Sequence, residues 1–129
     1  MTFQHTITWF EIPTSNINRA QKFYEEIFDM QMETLETPQL DMRIFPVPNK
    51  DEEHVSGALV YHKDFYTPSQ KAGVLIYMNC NPDLQSVLDK VEESRGKVEI
   101  PKTMISSEHG YMAVILDTEG NRIGLHSKS

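Results

Sequence analysis

A doubled order of segments most limits what this chain can fold into: an apolar strand, an amphipathic helix, then three more strand-like stretches. Ile17, Ala20, Phe23, Tyr24, Ile27 and Phe28 recur with the helical period and predict a helix from about Asn16 to Phe28. Leu84, Val87, Leu88 and Val91 repeat that stripe and predict a second helix from about Asp83 to Arg95. Asn16 or Ser15 offers the first N-cap oxygen. Pro82 and Asp83 open the second helix, and Gly96 is expected to end it in the left-handed conformation. The strands preceding the helices are 7–12 and 73–79. Those following them are 30–36, 41–47 and 55–61 in the first half, and 97–105, 111–117 and 122–127 in the second. Ile17 and Leu84 correspond, an offset of 67, but few letters match, so the repeat is one of pattern. The expectation is one domain over 1–129, with module one at about 5–62 and module two at about 73–127. The polar stretch 48–54 reads as a loop. The stretch 63–73 has no clean period and links the modules. "DTEGN" (117–121) reads as a tight turn in which Gly120 is free to take positive φ.

Charge and cysteine content narrow the function. Twelve basic against 19 acidic residues give a net charge of −7, which argues against a nucleic-acid partner, whose phosphates need a basic surface. A single cysteine, Cys80, excludes an intrachain disulfide and a cysteine-rich zinc site. No run approaches the roughly 20 apolar residues of a membrane span. The opening "MTFQHTITWF" lacks the basic start and long apolar core of a signal peptide, so a cytoplasmic location is expected. There is no Gly-rich phosphate loop, no G-x-S-x-G and no H-E-x-x-H.

The letters add a resemblance. "WFEIPTSNINRAQKFYEEIF" resembles the opening strand, short loop and "FY" helix of the vicinal oxygen chelate superfamily. "GKVEIPKT" and "YMAVILDTEGNRIGLHS" resemble its closing strands and D-x-x-G-N-x-I turn. That superfamily includes glyoxalase I, extradiol dioxygenases, and fosfomycin- and bleomycin-resistance proteins. Nearly the whole chain takes part. Asp29 stands where the family often has glycine, and aspartate tolerates the left-handed conformation. The resemblance implies an α+β fold of two βαβββ modules, a curved mixed sheet around a cavity, and a homodimer. Strand alternation then turns Thr8, Phe10 and Ile12 toward the helix, and His5, Ile7, Trp9 and Glu11 toward the cavity.

Metal-dependent relatives use His or Gln near the start of each module's first strand and Glu or His on its last strand. Those positions correspond here to Trp9, to Ile76 give or take one residue, to Gly124, and to the stretch Gly57 to Leu59. None of them carries a ligating side chain, so no metal cofactor is expected. A displaced set of His5, Glu11 and His126 is the remaining metal alternative. His54, His62 and His109 read as solvated, and Cys80 as a small buried residue.

The candidate ligand-binding residues are therefore Trp9, Glu11, Ile76, Met78, Arg122, Gly124 and His126. Trp9 offers a flat apolar face for a planar ligand or a cation; alternatively it is core. Glu11, in an apolar strand, needs a partner or a wet cavity: it binds a ligand, serves as a base, or pairs with Arg122. His126 is a proton carrier or a strand-end residue. Ile76 and Met78 would extend an apolar wall. The leading expectation is a metal-free small-molecule binding protein for a planar or cationic organic ligand. The rivals are a metal-dependent lyase, isomerase or dioxygenase, and a partner-binding domain whose pocket is filled by packed Trp9.

Overall fold

The structure, a computed structural model, describes residues 1–38, 40–48 and 54–129. Module one comprises β1 (Trp9–Pro13), α1 (Ile17–Phe28), β2 (Glu33–Glu36), β3 (Asp41–Ile44) and β4 (Ser56–Tyr61). Its sheet has the order β1-β4-β3-β2, with β1 parallel to β4 and the other pairs antiparallel. Module two repeats this with β5 (Tyr77–Asn79), α2 (Gln85–Leu88), β6 (Lys97–Ser106), β7 (Gly110–Leu116) and β8 (Arg122–Ser127), in the order β5-β8-β7-β6. The fold is thus the expected α+β pair of βαβββ modules, and neither sheet closes into a barrel. No helix among the described residues is long and apolar enough to cross a membrane. The loop expected at 48–54 falls mostly on 49–53, outside the described residues.

Helix α1 forms as its pattern demands. The Asn16 side chain accepts a hydrogen bond from the Arg19 N–H at 3.0 Å, and the chain leaves the helix at Asp29, with φ 49° and ψ 57°. The second helix is a correction. Only Gln85–Leu88 is α-helical, and turns carry the chain on to Arg95. Tight i→i−3 bonds recur there: Ser86 to Asp83, Lys90 to Val87, Val91 to Leu88, Arg95 to Glu92. Leu84, Val87, Leu88 and Val91 are nevertheless all buried. Burial of the stripe, not a regular helix, is what the pattern encoded. The left-handed residue is Arg95 (φ 76°), not Gly96. Gly96 is required for space instead, because a Cβ there would lie 2.6 Å from the Phe23 ring and 2.8 Å from the Leu116 carbonyl oxygen.

One continuous core joins both modules, from Ile12, Phe23, Tyr24 and Leu59 to Leu84, Val91, Ile115 and Leu125. Arg43 on β3 donates to Gln21 Oε1 and Asn18 Oδ1 of α1, and Leu59 is its ladder partner. Phe10, Ile12, Gly57 and Leu59 therefore face the helix. Trp9 and Glu11 share the opposite face with Ala58 and Val60. In module two the Leu84 N–H donates to Ser127 Oγ, so Ile123, Leu125 and Ser127 face α2. Arg122, Gly124 and His126 point the other way, with Tyr77 and Asn79 beside them. The Thr14 N–H bonds Val60 O, and the Cys80 N–H bonds His126 O. The strands thus repeat at 66 residues, one fewer than the buried stripes, in which Ile17, Ala20 and Tyr24 match Leu84, Val87 and Val91.

The two modules are clasped by the turn 117–121. Asp117 is buried and accepts from the Tyr24 hydroxyl at 2.8 Å, from the Glu119 and Asn121 N–H groups, and from Asn121 Nδ2. Burial pushes its carboxyl above the usual aspartate range, and these hydrogen bonds offset part of that rise. Glu119 caps the start of α1 from the other module. It accepts from the Ser15 N–H, the Asn16 N–H at 2.6 Å and Arg19 Nε at 2.7 Å. Burial raises its carboxyl, but Arg19 and the two N–H groups outweigh burial and hold it below the usual range. Gly120 takes φ 84°, as the turn requires.

Candidate functional site

A cleft of about 240 Å³ opens where the end of β1, the linker and the start of β8 meet. Its accessible apolar side chains are Val74 and Ile76, while Ile12 and Ile123 border it with their side chains buried in the core, and its charged residues are Glu11 and Arg122. The linker supplies Thr67, Ser69 and the stretch 72–74. One side chain ties these walls together. Asn121 Nδ2 donates to Pro13 O on β1 at 2.7 Å, and Asn121 Oδ1 accepts the linker N–H of Ser69 at 3.2 Å.

Glu11 is held by two neutral donors. The Trp9 indole N–H reaches one oxygen at 3.2 Å, and the Tyr66 hydroxyl reaches the other at 2.5 Å. Two neutral donors fix the carboxylate without cancelling its charge, and a carboxylate keeps further acceptor sites. That hydrogen bond to Glu11 is the main reason the Tyr66 phenol is raised above its ordinary value, with burial second. The ion pair expected as an alternative, Glu11 with Arg122, does not form. Arg122 is exposed, and among the described residues it makes no hydrogen bond or ion pair.

The remaining candidates spread out. Trp9 is 41% exposed and is not packed core; it meets the site through Glu11. Ile76 lines the cleft. Met78 pairs with Leu125 and packs on the core, so it does not extend the cavity wall. Gly124 lies beneath Tyr77: a Cβ there would meet the ring at 2.4 Å. The His126 ring nitrogen contacts His109 O at 2.6 Å. His5, Ile7 and Thr8 precede β1, so the alternation expected for them has no strand to act through. His62 Nδ1 accepts from the Asp64 N–H, and the His109 ring sits on Ser106. Cys80 is buried, which pushes its thiol up to about 11.

The 66-residue strand repeat makes Leu75 the partner of Trp9, and Gly124 that of Ala58. A tryptophan N–H only donates, and the other three carry no donor atom for a metal, so these four do not fit a divalent ion. Among the described residues no group of three His, Cys, Asp or Glu side chains is placed to hold a metal, and His5, Glu11 and His126 do not come together. Sequence reasoning missed Tyr66, Thr67, Ser69 and Asn121. The linker has no period to read, and its one signal was an aromatic run, "DFYT", in an otherwise polar join.

The sequence model of the glyoxalase/bleomycin resistance protein/dioxygenase superfamily matches residues 6–125. Among solved structures, a glyoxalase/bleomycin resistance protein/dioxygenase domain from Frankia is similar with a TM-score of 0.71 at 12% identity, covering 97% of this chain and 98% of that one. The trypanothione-dependent glyoxalase I of Leishmania major is similar with a TM-score of 0.68 at 16% identity, covering 97% and 88%. Glyoxalase I from maize is similar with a TM-score of 0.69 at 15% identity. There the match covers 95% of this chain and 44% of the maize chain, so this chain spans less than half the maize length. No curated protein sequence matches.

Proposed function

The chain belongs to the glyoxalase/bleomycin resistance protein/dioxygenase superfamily, and from that premise we propose that it is a cytoplasmic, metal-free binder of a small planar or cationic organic molecule. The observation that carries this reading is the cleft beside Glu11, whose carboxylate is fixed by Trp9 and Tyr66 but not neutralised. Such a carboxylate attracts a cationic or hydroxyl group, and the exposed indole beside it adds a stacking face. The four donor-free positions support the metal-free part. A homodimer is part of the same reading, supported by the exposed side chains of Trp9, Tyr77, Met104 and Ile105; a monomer mass by light scattering would remove that part.

Trp9 is the only tryptophan, so its fluorescence reports on the site directly. A planar organic cation should change its emission. Glu11→Gln should weaken that binding about tenfold, the scale of a lost hydrogen bond to a charged group, with the melting temperature nearly unchanged. If Glu11→Gln instead unfolds the protein, Glu11 is structural and the reading fails. A thermal shift on adding manganese, nickel or zinc would put the metal-dependent rival first.

A further inference from the structure

Glu11 and Arg122 line one small cleft with opposite charges, yet neither neutralises the other. Glu11 spends its fixed hydrogen bonds on Trp9 and Tyr66. Arg122 has no partner among the described residues, although an arginine carries five N–H donors suited to a carboxylate. A ligand with a positive group alone would satisfy Glu11 and face Arg122 unfavourably. One with a negative group alone would do the reverse. The same cleft is lined by the side chains of Val74 and Ile76, which ask for an aliphatic body.

We infer that the cleft takes a zwitterion: a small amino-acid-like molecule whose ammonium meets Glu11, whose carboxylate meets Arg122, and whose apolar side chain lies against Val74 and Ile76. This rests on the binding role proposed above and narrows its ligand class. It follows from the placement of two charges within one cavity, and no bond is made or broken. The exposed Trp9 ring beside Glu11 gives the ammonium a second favourable neighbour. The overall charge of −7 disfavours a purely anionic ligand at long range, so the zwitterion's positive end guides the approach.

The test compares three probes of one shape by nuclear magnetic resonance titration of the intact chain: L-leucine, L-leucinamide and N-acetyl-L-leucine. L-Leucine should shift the Trp9 indole and Arg122 backbone resonances. Each analogue, lacking one charge, should bind at least about tenfold more weakly, the loss expected for one charge-assisted hydrogen bond. Arg122→Gln, a change at an exposed position, should abolish the preference for L-leucine over L-leucinamide. Equal binding of L-leucine and either analogue would overturn the proposal. A planar cation that binds while all three leucine probes fail would overturn the zwitterion and leave the binding role standing. Silence from every probe would overturn both.

Discussion

Phe10 lies over Gly57 in module one and Tyr77 lies over Gly124 in module two, so close that a Cβ on either glycine would fall within 2.6 Å of the ring. The two pairs are 67 residues apart, yet they occupy opposite faces of their sheets. Phe10 faces the helix and packs against Phe45, which meets Tyr24 edge-on. Tyr77 lies on the far face and is 49% exposed. The cause is one residue. Between Thr14 and Ile17 stand Ser15 and Asn16, whereas between Cys80 and Leu84 stand Asn81, Pro82 and Asp83. A slip of one residue inverts every side chain of a strand. Buried stripes aligned at 67 therefore sit over strands aligned at 66, and Glu11 of module one corresponds in register to Tyr77 rather than to Met78. The modules share an architecture but present different chemistry to the open face.

The largest expected effect tests that inversion. Gly57→Ala should cost about 1–3 kcal/mol, because the partly buried Phe10 ring is held against Phe45 and the core and has little room to move. Gly124→Ala should cost clearly less, because the half-exposed Tyr77 ring can swing into solvent. Paired urea denaturation curves decide this, and equal losses would break the account of the two faces. A smaller effect separates the two helices. Asn16→Ala removes a side-chain cap and should cost about 1 kcal/mol, whereas the helical turn after Leu84 has no side-chain cap at its N-cap residue. Amide exchange should accelerate in the first turn of α1 and leave the 84–95 stretch unchanged.

The smallest effect is in the clasp that joins the modules. Glu119 has a lowered carboxyl in the fold, so its contribution is complete above the ordinary glutamate range and is lost as pH falls through the lowered value. Asp117 is raised, so it works in the opposite sense: it favours the fold at low pH and becomes a cost as pH rises through its raised value. Glu119→Gln keeps an acceptor for the α1 N–H groups and loses the charge that pairs with the half-exposed Arg19. Stability followed downward from neutral pH should fall less steeply in the variant. An unchanged slope would mean that Glu119 holds the modules by shape alone.

Much of this was legible in the letters. Period placed α1 and the β-rich segments, the letters D-T-E-G-N marked the Gly120 turn, and alternation put Trp9 and Glu11 opposite Phe10 and Ile12. Period also marked Leu84, Val87, Leu88 and Val91 as buried, but it over-extended α2. A stripe of apolar residues reports which face is covered and says nothing of whether bonds close at i−3 or i−4. Glu11, Ile76 and Arg122 were legible as members of the cleft. Met78 was misplaced because the extra residue near Pro82 blurs the register of β5, a strand of only three residues.

What the sequence by itself determined is local: which stretches extend, which coil, and which side of each is apolar. Those follow from periodicity and residue chemistry, which act over a few neighbours. Only the tertiary structure decided that Tyr66 reaches Glu11 across 55 residues, that Asn121 ties β1 to the linker, and that Arg122 stays clear of Glu11. Those partners meet because two modules pack about one core and a linker without period closes over their junction. Contacts set by that closure leave no trace in local spacing.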